Sequence, residues 1–242
     1  MENEKNTLFD TFADYFKEVI YGGIDGIVTT FAVVAGGAGA ALSNNETTQL
    51  SFVVILLFGL ANLFADAASM GLGNFLSVRS EKDLYNAARD KENAVLQQEM
   101  REKRVTTTVR LMQEKGFTAE DAATLATIYQ KNDDYWLDFL MLHDQDMPDP
   151  RGENEVYTGL ATFLSFMFFG AIPLLPFMLQ SSGDHATAFM FSSIGTLAAL
   201  IVLGLLKWRV IGAKFVASLT EVVLVGGTAA VLAYFVGTFF AI

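Results

Sequence analysis

The sequence predicts an all-α membrane protein with five transmembrane helices and a cytosolic three-helix insert between the second and third spans. Three observations lead to this fold class. Of the 242 residues, 52% are hydrophobic, more than is typical of a soluble domain. Apolar runs of about twenty residues, the length that crosses a bilayer, recur along the chain. Eleven of the 16 Lys and Arg residues lie between Arg79 and Arg151, which marks one hydrophilic segment.

Four segments follow from this pattern. Residues 1–19 repeat apolar side chains at helical spacing, which predicts an amphipathic helix on the membrane surface or the first turns of the opening span. Residues 20–79 hold the first two spans, residues 80–155 form the insert, and residues 156–242 hold the remaining spans. The spans are predicted at Ile20–Leu42, Leu50–Leu76, Val156–Leu179, Ala186–Leu206 and Lys214–Ala241.

The distribution of positive charge orients these spans. The loops SNNETTQ and QSSGDH contain no Lys or Arg, whereas the insert and the loop KWRVIGAK carry both. Because cytoplasmic loops are enriched in Lys and Arg, we expect the amino terminus and the insert in the cytosol. The carboxyl terminus is then outside or lumenal. This orientation fits a multi-pass protein of either a bacterial inner membrane or a vacuole-like organelle membrane.

The insert is predicted to be helical and water-soluble. One or two helices lead to Gly116, a residue typical of helix C-termini. A second helical part begins at Thr118, with Asp121 three residues on as in a capping box. The third, DDYWLDFLMLHDQDM, is predicted to be stopped by Pro148 and Pro150.

Small residues and prolines predict how the spans pack. The first span is dense in glycine, which lets helices approach closely and is typical of packing against a second copy of the same helix. These residues are Gly22, Gly23, Gly26, Gly36, Gly37 and Gly39. Pro173 and Pro176 predict a kink in the third span, because proline removes a helical hydrogen bond.

Composition excludes several functions. A net charge of −11 argues against binding nucleic acid, which requires clustered Lys and Arg. There is no cysteine for disulfides, thiolate metal sites or thiol catalysis, and no nucleophile–base pair or phosphate-binding glycine loop. We therefore expect that the protein is not an enzyme and that it binds no cofactor permanently. Any pumping must use a gradient, as in a secondary transporter.

Three acids lie inside the predicted spans: Asp25, Asp66 and Glu221. A carboxylate in the hydrocarbon core costs at least ~2.5 kcal/mol, and such residues usually mark ion or proton pathways. The alternative is a neutral acid hydrogen-bonded to a neighbouring helix. For Asp25 and Asp66 we favour a role in binding metal and coupling protons. Glu221 lies near the cytosolic end of its span, where reaching the membrane interface explains it equally well.

Residues around these acids have the chemistry of metal ligands. Asn62, Asp66 and Met70 are spaced four apart and share one helix face, and Asp25 and Thr29 form a similar pair. A thioether beside oxygen ligands favours a transition metal such as Fe²⁺, Mn²⁺, Co²⁺ or Zn²⁺ over Ca²⁺ or Mg²⁺. Core packing is the alternative role for Met70.

Five motifs resemble the vacuolar iron transporters, in order along nearly the whole chain. They are DGIVTTFAVVAGGAGA, ADAASMGLGNFLSVRSEKD, WLDFLM, GAIPLLPFML and TEVVLVGGTAA. The resemblance implies a homodimer whose pathway lies between the two first helices. It also implies export of Fe²⁺, and often Mn²⁺, from the cytosol in exchange for protons. Asp25 and Met70 match the family's acid of the first span and methionine of the second.

The chain departs from the family pattern within the spans. Asn62 stands where iron-transporting members often carry glutamate, and Asp66, one turn further on, stands where plant members commonly have glycine. We interpret this as a carboxylate moved by one helical turn.

The insert departs further. The resemblance implies metal-binding residues there, and Glu92, Met141 and Asp144 match them, but most of the other acidic positions do not. Those positions fall at or near Val95, Lys103 or Arg104, and Thr106 or Thr107. We expect a weak or absent metal store in the insert.

These observations favour a proton-coupled exporter of divalent transition metal that works in the bilayer as a homodimer through its first span. Two alternatives remain: a Mn²⁺-preferring or broad-specificity transporter, and a membrane scaffold or metal sensor that transports nothing. A scaffold has no need of paired acids within its spans.

Overall fold

The computed structural model describes residues 15–43, 49–97, 101–179, 185–212 and 214–239. Within these ranges the regular elements are α-helices and 3₁₀ turns, and no β-strand occurs, which confirms the all-α class. The helices are α1 Phe16–Ser43, α2 Gln49–Gln97, α3 Arg101–Glu114, α4 Ala119–Tyr129, α5 Asp133–His143, α6 Glu155–Ala171, α7 Leu175–Leu179, α8 His185–Ile211 and α9 Phe215–Phe239. Pro150–Gly152 and Ile172–Leu174 are 3₁₀ turns.

The chain divides into two compact units. The first, here called the span unit, comprises Met1–Phe75 and Val156–Ile242, and the second, the insert unit, comprises Leu76–Glu155. Helix α2 is 49 residues long, so it begins in the span unit and ends in the insert unit. The predicted amphipathic helix of residues 1–19 lies mostly outside the described residues, and from Phe16 onward the chain is already part of α1.

Helices of the span unit are long and apolar enough to cross a membrane. Four described segments meet this criterion: Phe16–Ala38, Val53–Ala94, Glu155–Leu179 and Ala186–Val210. The predicted fifth span corresponds to α9, within which the apolar stretch Phe215–Ala229 is shorter. The transmembrane helices are therefore confirmed as a class, and their count of five stays a prediction. Large apolar side chains such as Leu57, Phe168 and Phe235 are more than half exposed, as lipid-facing residues are.

Helix α1 lies at the centre of the span unit. Val34 on α1 joins one buried cluster with residues of α2, α6 and α8. Ile27 joins a second cluster with residues of α6, α8 and α9. One helix thus contributes to both cores, which fixes its rotation and decides which of its residues face inward.

Close contact with α6 explains two glycines of α1. A Cβ atom on Gly22 would lie 2.7 Å from the carbonyl oxygen of Thr162, and one on Gly26 would lie 2.5 Å from that of Phe166. Both distances are too short for any side chain, so glycine is required there. The expectation that these glycines serve packing against a second copy is wrong for Gly22 and Gly26, because their partner is α6 of the same chain.

The third predicted span is interrupted at its prolines. Helix α6 ends at Ala171, the 3₁₀ turn that contains Pro173 follows, and α7 then begins at Leu175. The buried hydroxyl of Ser192 on α8 donates to the carbonyl oxygen of Pro173 at 2.7 Å. The kink predicted from the prolines is confirmed.

The insert unit packs the end of α2 with α3, α4 and α5. Its buried core holds Tyr85, Leu111, Trp136, Leu137, Leu140 and Met141. Thr118 caps α4 by accepting a hydrogen bond from the Asp121 N–H at 3.1 Å, as predicted. Gly116, just after α3, has a φ of +98°, a conformation that favours glycine.

One predicted helix end is wrong. Helix α5 ends at His143, before Pro148 and Pro150, so the prolines do not stop it. Asp144 is its C-cap, and Asp146 has a φ of +53°, which turns the chain away before either proline is reached. Pro150 instead opens the following 3₁₀ turn.

Candidate functional site

Asp25 lies on α1 between two glycines of its buried face. Its neighbours Gly22 and Gly26 are buried against α6, while Asp25 itself is half-buried. The close contact of these glycines with α6 therefore holds the Asp25 backbone in place. The Thr29 hydroxyl donates to the backbone carbonyl of Asp25 at 2.8 Å, so its proton is used within the helix and its oxygen is left as an acceptor.

Asp66 on α2 is oriented by the residue one turn before it. The amide nitrogen of Asn62 donates to Oδ2 of Asp66 at 2.8 Å, and both side chains are half-buried. Met70, one turn further on, is half-buried and packs against the core cluster that includes Leu63 and Phe166. The spacing of four residues therefore places these three side chains along one face of α2, as the sequence predicts.

Asp25 and Asp66 are far apart in sequence and near in space. The helices that carry them meet at Gly170 of α6, which closely contacts Gly26 beside Asp25 and Leu63 three residues before Asp66. Two negative charges in the apolar part of a protein repel strongly when nothing lies between them. A cation or a proton relieves that repulsion, so this pair has the chemistry of a site that exchanges the two.

The ligand set of one chain is small. No group of three or more His, Cys, Asp or Glu side chains with metal-binding geometry exists within the described ranges. The pair of acids is accompanied by the oxygen atoms of Asn62 and Thr29 and the sulfur of Met70, all neutral. One chain thus offers two carboxylates, whose combined charge equals that of one divalent ion in magnitude.

A groove of about 570 Å³ leads along α1 to Asp25. Its wall includes Lys17 and Tyr21 from α1, and Lys207 and Glu221 from α8 and α9. The Lys207 ammonium donates to Glu221 Oε2 at 2.6 Å. Glu221 is therefore paired with a cation and lines the same groove as Asp25. Sequence reasoning missed Lys207, although a lysine near the cytosolic end of one span and a glutamate near that of the next were both visible.

Of the three predicted metal-binding residues of the insert, two are paired with arginine and the third is buried in the apolar core. Glu92 accepts a hydrogen bond from Arg104 Nη2 at 2.6 Å, and Asp144 accepts one from Arg104 Nη1 at 3.0 Å. Arg110 lies 3.6 Å from the other oxygen of Asp144. Met141 is fully buried in the apolar core of the insert unit. Glu92 and Asp144 are thus brought together by an arginine, which sequence reasoning noted only as a replaced acidic position.

Comparison with known proteins gives the family. A sequence model of the VIT family matches residues 16–238. The chain is 31% identical over 247 residues to "Vacuolar iron transporter" of Toxoplasma gondii, which covers 98% of this chain and 78% of the relative. It is 30% identical over 244 residues to "Vacuolar iron transporter 1" of Arabidopsis thaliana, which covers 97% of this chain and 92% of the relative.

A rice protein named "Vacuolar iron transporter 1" is 29% identical over 227 residues, covering 93% of this chain and 84% of the relative. These similarities extend over both units rather than over one motif. Because the family match runs from the first residue of α1 into the last turn of α9, this chain is a member of the VIT family.

Proposed function

We propose that this protein moves a divalent transition metal, Fe²⁺ or Mn²⁺, out of the cytosol across a membrane in exchange for protons. The observation that carries the proposal is the pair of carboxylates, Asp25 and Asp66, on two helices of the span unit that both contact Gly170 of α6. Relatives named vacuolar iron transporters, about 30% identical over most of the chain, support the substrate class.

Metal and proton compete for the same oxygens. A metal ligand must be deprotonated, so an arriving cation releases protons from the carboxylates that bind it. When the metal leaves, an unprotonated pair would hold two repelling charges in low dielectric, so protons return. One divalent ion therefore exchanges for up to two protons at Asp25 and Asp66. This competition couples metal flow in one direction to proton flow in the other.

Neutral ligands set the choice of metal. The thioether of Met70 favours a softer ion than Ca²⁺ or Mg²⁺, and the oxygens of Asn62 and Thr29 suit Fe²⁺ and Mn²⁺. A second candidate, a transporter that prefers Mn²⁺ or accepts Co²⁺ and Zn²⁺ as well, is favoured by the neutral amide of Asn62. This residue supplies no second carboxylate on α2 and leaves the site less selective.

A second copy of the chain would complete the site. One chain supplies two charged ligands, and the side of α1 that carries Tyr21 and Asp25 lies away from its buried stripe. In the proposed homodimer two α1 helices face each other, and their acids line a common path. The positive charges near Lys207 and in the insert favour a cytosolic side for these parts, and the proposed five spans would leave the carboxyl terminus outside or lumenal. The membrane is that of a vacuole-like organelle or a bacterium.

Glu221 and Lys207 are assigned to the proton path. Both line the groove that reaches Asp25, and their ion pair lies on its wall. A carboxylate in such a position transfers protons between water and the half-buried Asp25.

The test is a flux measurement on purified protein in liposomes. Uptake of Fe²⁺, Mn²⁺, Co²⁺ and Zn²⁺ is measured with and without a pH gradient. We expect uptake of Fe²⁺ or Mn²⁺ that rises when protons can flow in the opposite direction. Uptake that ignores the pH gradient would contradict proton exchange. The absence of uptake for all four metals would favour the scaffold or sensor function instead.

A further inference from the structure

Arg104 on α3 lies between two acids from different helices of the insert unit. Its guanidinium donates from Nη2 to Glu92 Oε2 at 2.6 Å and from Nη1 to Asp144 Oδ2 at 3.0 Å. Glu92 belongs to α2, and Asp144 caps the end of α5. One planar cation thereby joins three helices.

Burial makes this arrangement consequential. Glu92 is 6% exposed, and its Oε1 is buried without a hydrogen-bond partner among the described residues. The side chains of Arg104 and Asp144 are each 17% exposed. A buried carboxylate needs a compensating cation, and removing that cation leaves an unpaired buried charge, which is strongly destabilising. The pair Glu92 and Asp144 is therefore an acidic site whose cation is covalently part of the chain.

We infer that Arg104 occupies the place of a metal ion in the insert unit, so that folding of this unit is independent of divalent metals. Arg104 contacts both carboxylates, and Arg110, itself paired with Glu114 at 2.6 Å, lies 3.6 Å from Asp144. A divalent ion arriving there meets the positive charge of Arg104 at the oxygens it would have to bind. The residues therefore do not fit a metal while Arg104 is present, and they would begin to fit one if its charge were removed.

Trp136 makes this inference testable within the full-length protein. The chain has two tryptophans, so Trp208→Phe leaves Trp136 as the single emitter. Trp136 is fully buried, and its ring N–H donates to Thr108 Oγ1 on α3 at 2.8 Å. Its fluorescence therefore reports unfolding of the insert unit and not metal binding by the span unit.

The experiment compares thermal unfolding in detergent with EDTA and with Co²⁺ or Mn²⁺. With Arg104 present, we expect the same midpoint of the Trp136 transition in both conditions. Arg104→Gln should lower the midpoint in EDTA, and added Co²⁺ should raise it again in a concentration-dependent way. Lys82→Gln is the matched control: its side chain is 20% exposed and pairs with Glu155 at 2.6 Å rather than joining two acids, so it should lower the midpoint without any response to Co²⁺.

Two outcomes would overturn the inference. One is a midpoint that rises with Co²⁺ while Arg104 is present, since that would mean a metal site already exists there. The other is an Arg104→Gln protein that Co²⁺ does not stabilise.

If Arg104→Gln does not fold, the double variant Glu92→Gln with Arg104→Gln decides the matter. It removes both the cation and the buried charge, so we expect it to fold and to recover most of the lost midpoint without metal. Failure to recover would show that Arg104 acts through something other than its charge.

Discussion

Asp66 is a carboxylate inside a membrane helix, and its neighbours decide what it can do. Asn62 holds one of its oxygens by a hydrogen bond at 2.8 Å, and α1, which carries Asp25, meets α2 at Gly170 of α6. The first contact orients the carboxylate, and the proposed exchange of metal and protons uses the second. Each of these contacts is made by one residue, so single substitutions can test the two contacts separately.

Asn62→Ala tests the orienting contact. This change removes the N–H donor and the adjacent carbonyl oxygen while leaving Asp66 in place. Partners that orient metal ligands are worth about 10–100-fold in metal affinity, so we expect the KM for Mn²⁺ uptake to rise by that order. Asn74→Ala is the control, because the Asn74 amide donates to Thr162 at 2.7 Å and not to an acid. An equal KM for Asn62→Ala and the unmodified protein would show that Asn62 does not orient the site.

In the insert unit, Asp149 contributes a stabilising pair with a defined pH dependence. Asp149 binds Arg151 through two oxygens at 2.8 and 2.6 Å and also accepts the Arg151 backbone N–H. The guanidinium holds the pKa of the Asp149 carboxyl below its usual value of 3.8. Because the folded-state pKa is the lower one, the pair stabilises the fold above the unfolded value and loses that contribution as pH falls through the folded value.

Asp149→Asn keeps the backbone cap and removes the charge. For a partly exposed pair we expect a loss of about 0.2–1 kcal/mol near neutral pH. The difference from the unmodified protein should shrink as the pH falls from ~4 through the lowered pKa of Asp149, below which both proteins lack the carboxylate charge. The measurement is the midpoint of the Trp136 transition at a series of pH values. A difference that stays constant down to the lowest pH would contradict this account.

At the scale of the helices, α1 is positioned by backbone contact with α6. Gly26 and Gly170 face each other there, since a Cβ on Gly170 would lie 2.9 Å from the Gly26 carbonyl oxygen. Ser165 adds a hydrogen bond to the carbonyl oxygen of Val19 at 2.6 Å. The position of Asp25 therefore depends on an interface in which neither helix has room for a side chain.

Gly26→Ala tests this interface. The new Cβ would lie 2.5 Å from the Phe166 carbonyl oxygen, which is backbone and cannot move alone, so α1 and α6 must separate. We expect a loss of about 1–3 kcal/mol, seen as a lower midpoint in detergent, together with reduced metal flux. Gly227→Ala on α9 is the control, because its Cβ would meet nothing within 4 Å. Equal stability of the two variants would contradict a close backbone contact between α1 and α6.

Local sequence patterns correctly predicted those features that depend on neighbouring residues of a single helix. The four-residue spacing of Asn62 and Asp66, the cap at Thr118 and the kink at Pro173 all follow from neighbours in sequence. The predicted packing partner of Gly26 was wrong, because the spacing of glycines indicates a close helix contact but does not identify the other helix. Arg104 went unrecognised as a bridge because its role depends on three helices meeting, which no local pattern records.

At the scale of the whole molecule, the proposed site uses two acids of one chain, and α1 carries one of them on its more exposed side. Tyr21 on α1 is 60% exposed, and Asp25 follows it one turn later. The resemblance to the family, and not the glycine pattern, supports a second copy on this side. The interface of the proposed homodimer is therefore the exposed side of α1.

Disulfide crosslinking tests this interface directly, because the native chain has no cysteine. Tyr21→Cys and Val28→Cys lie on this side of α1 and should give a covalent dimer under oxidising conditions in membranes. Phe168→Cys on α6 is 69% exposed and should stay monomeric. Monomer at both α1 positions would refute the interface, and dimer at Phe168→Cys alone would move it to α6.

Proton release driven by metal is the measurement that tests the central claim most directly. Liposomes containing the protein and a pH-sensitive dye are given a Mn²⁺ gradient, and proton counterflow is recorded beside metal flux for the unmodified protein and for Asp66→Asn. This substitution keeps the shape of the side chain and its hydrogen bonding but cannot ionise. We predict coupled fluxes in the unmodified protein and loss of both in Asp66→Asn, with insertion and dimer formation unchanged. Metal flux at the unmodified rate in Asp66→Asn, with the same pH dependence, would contradict the account.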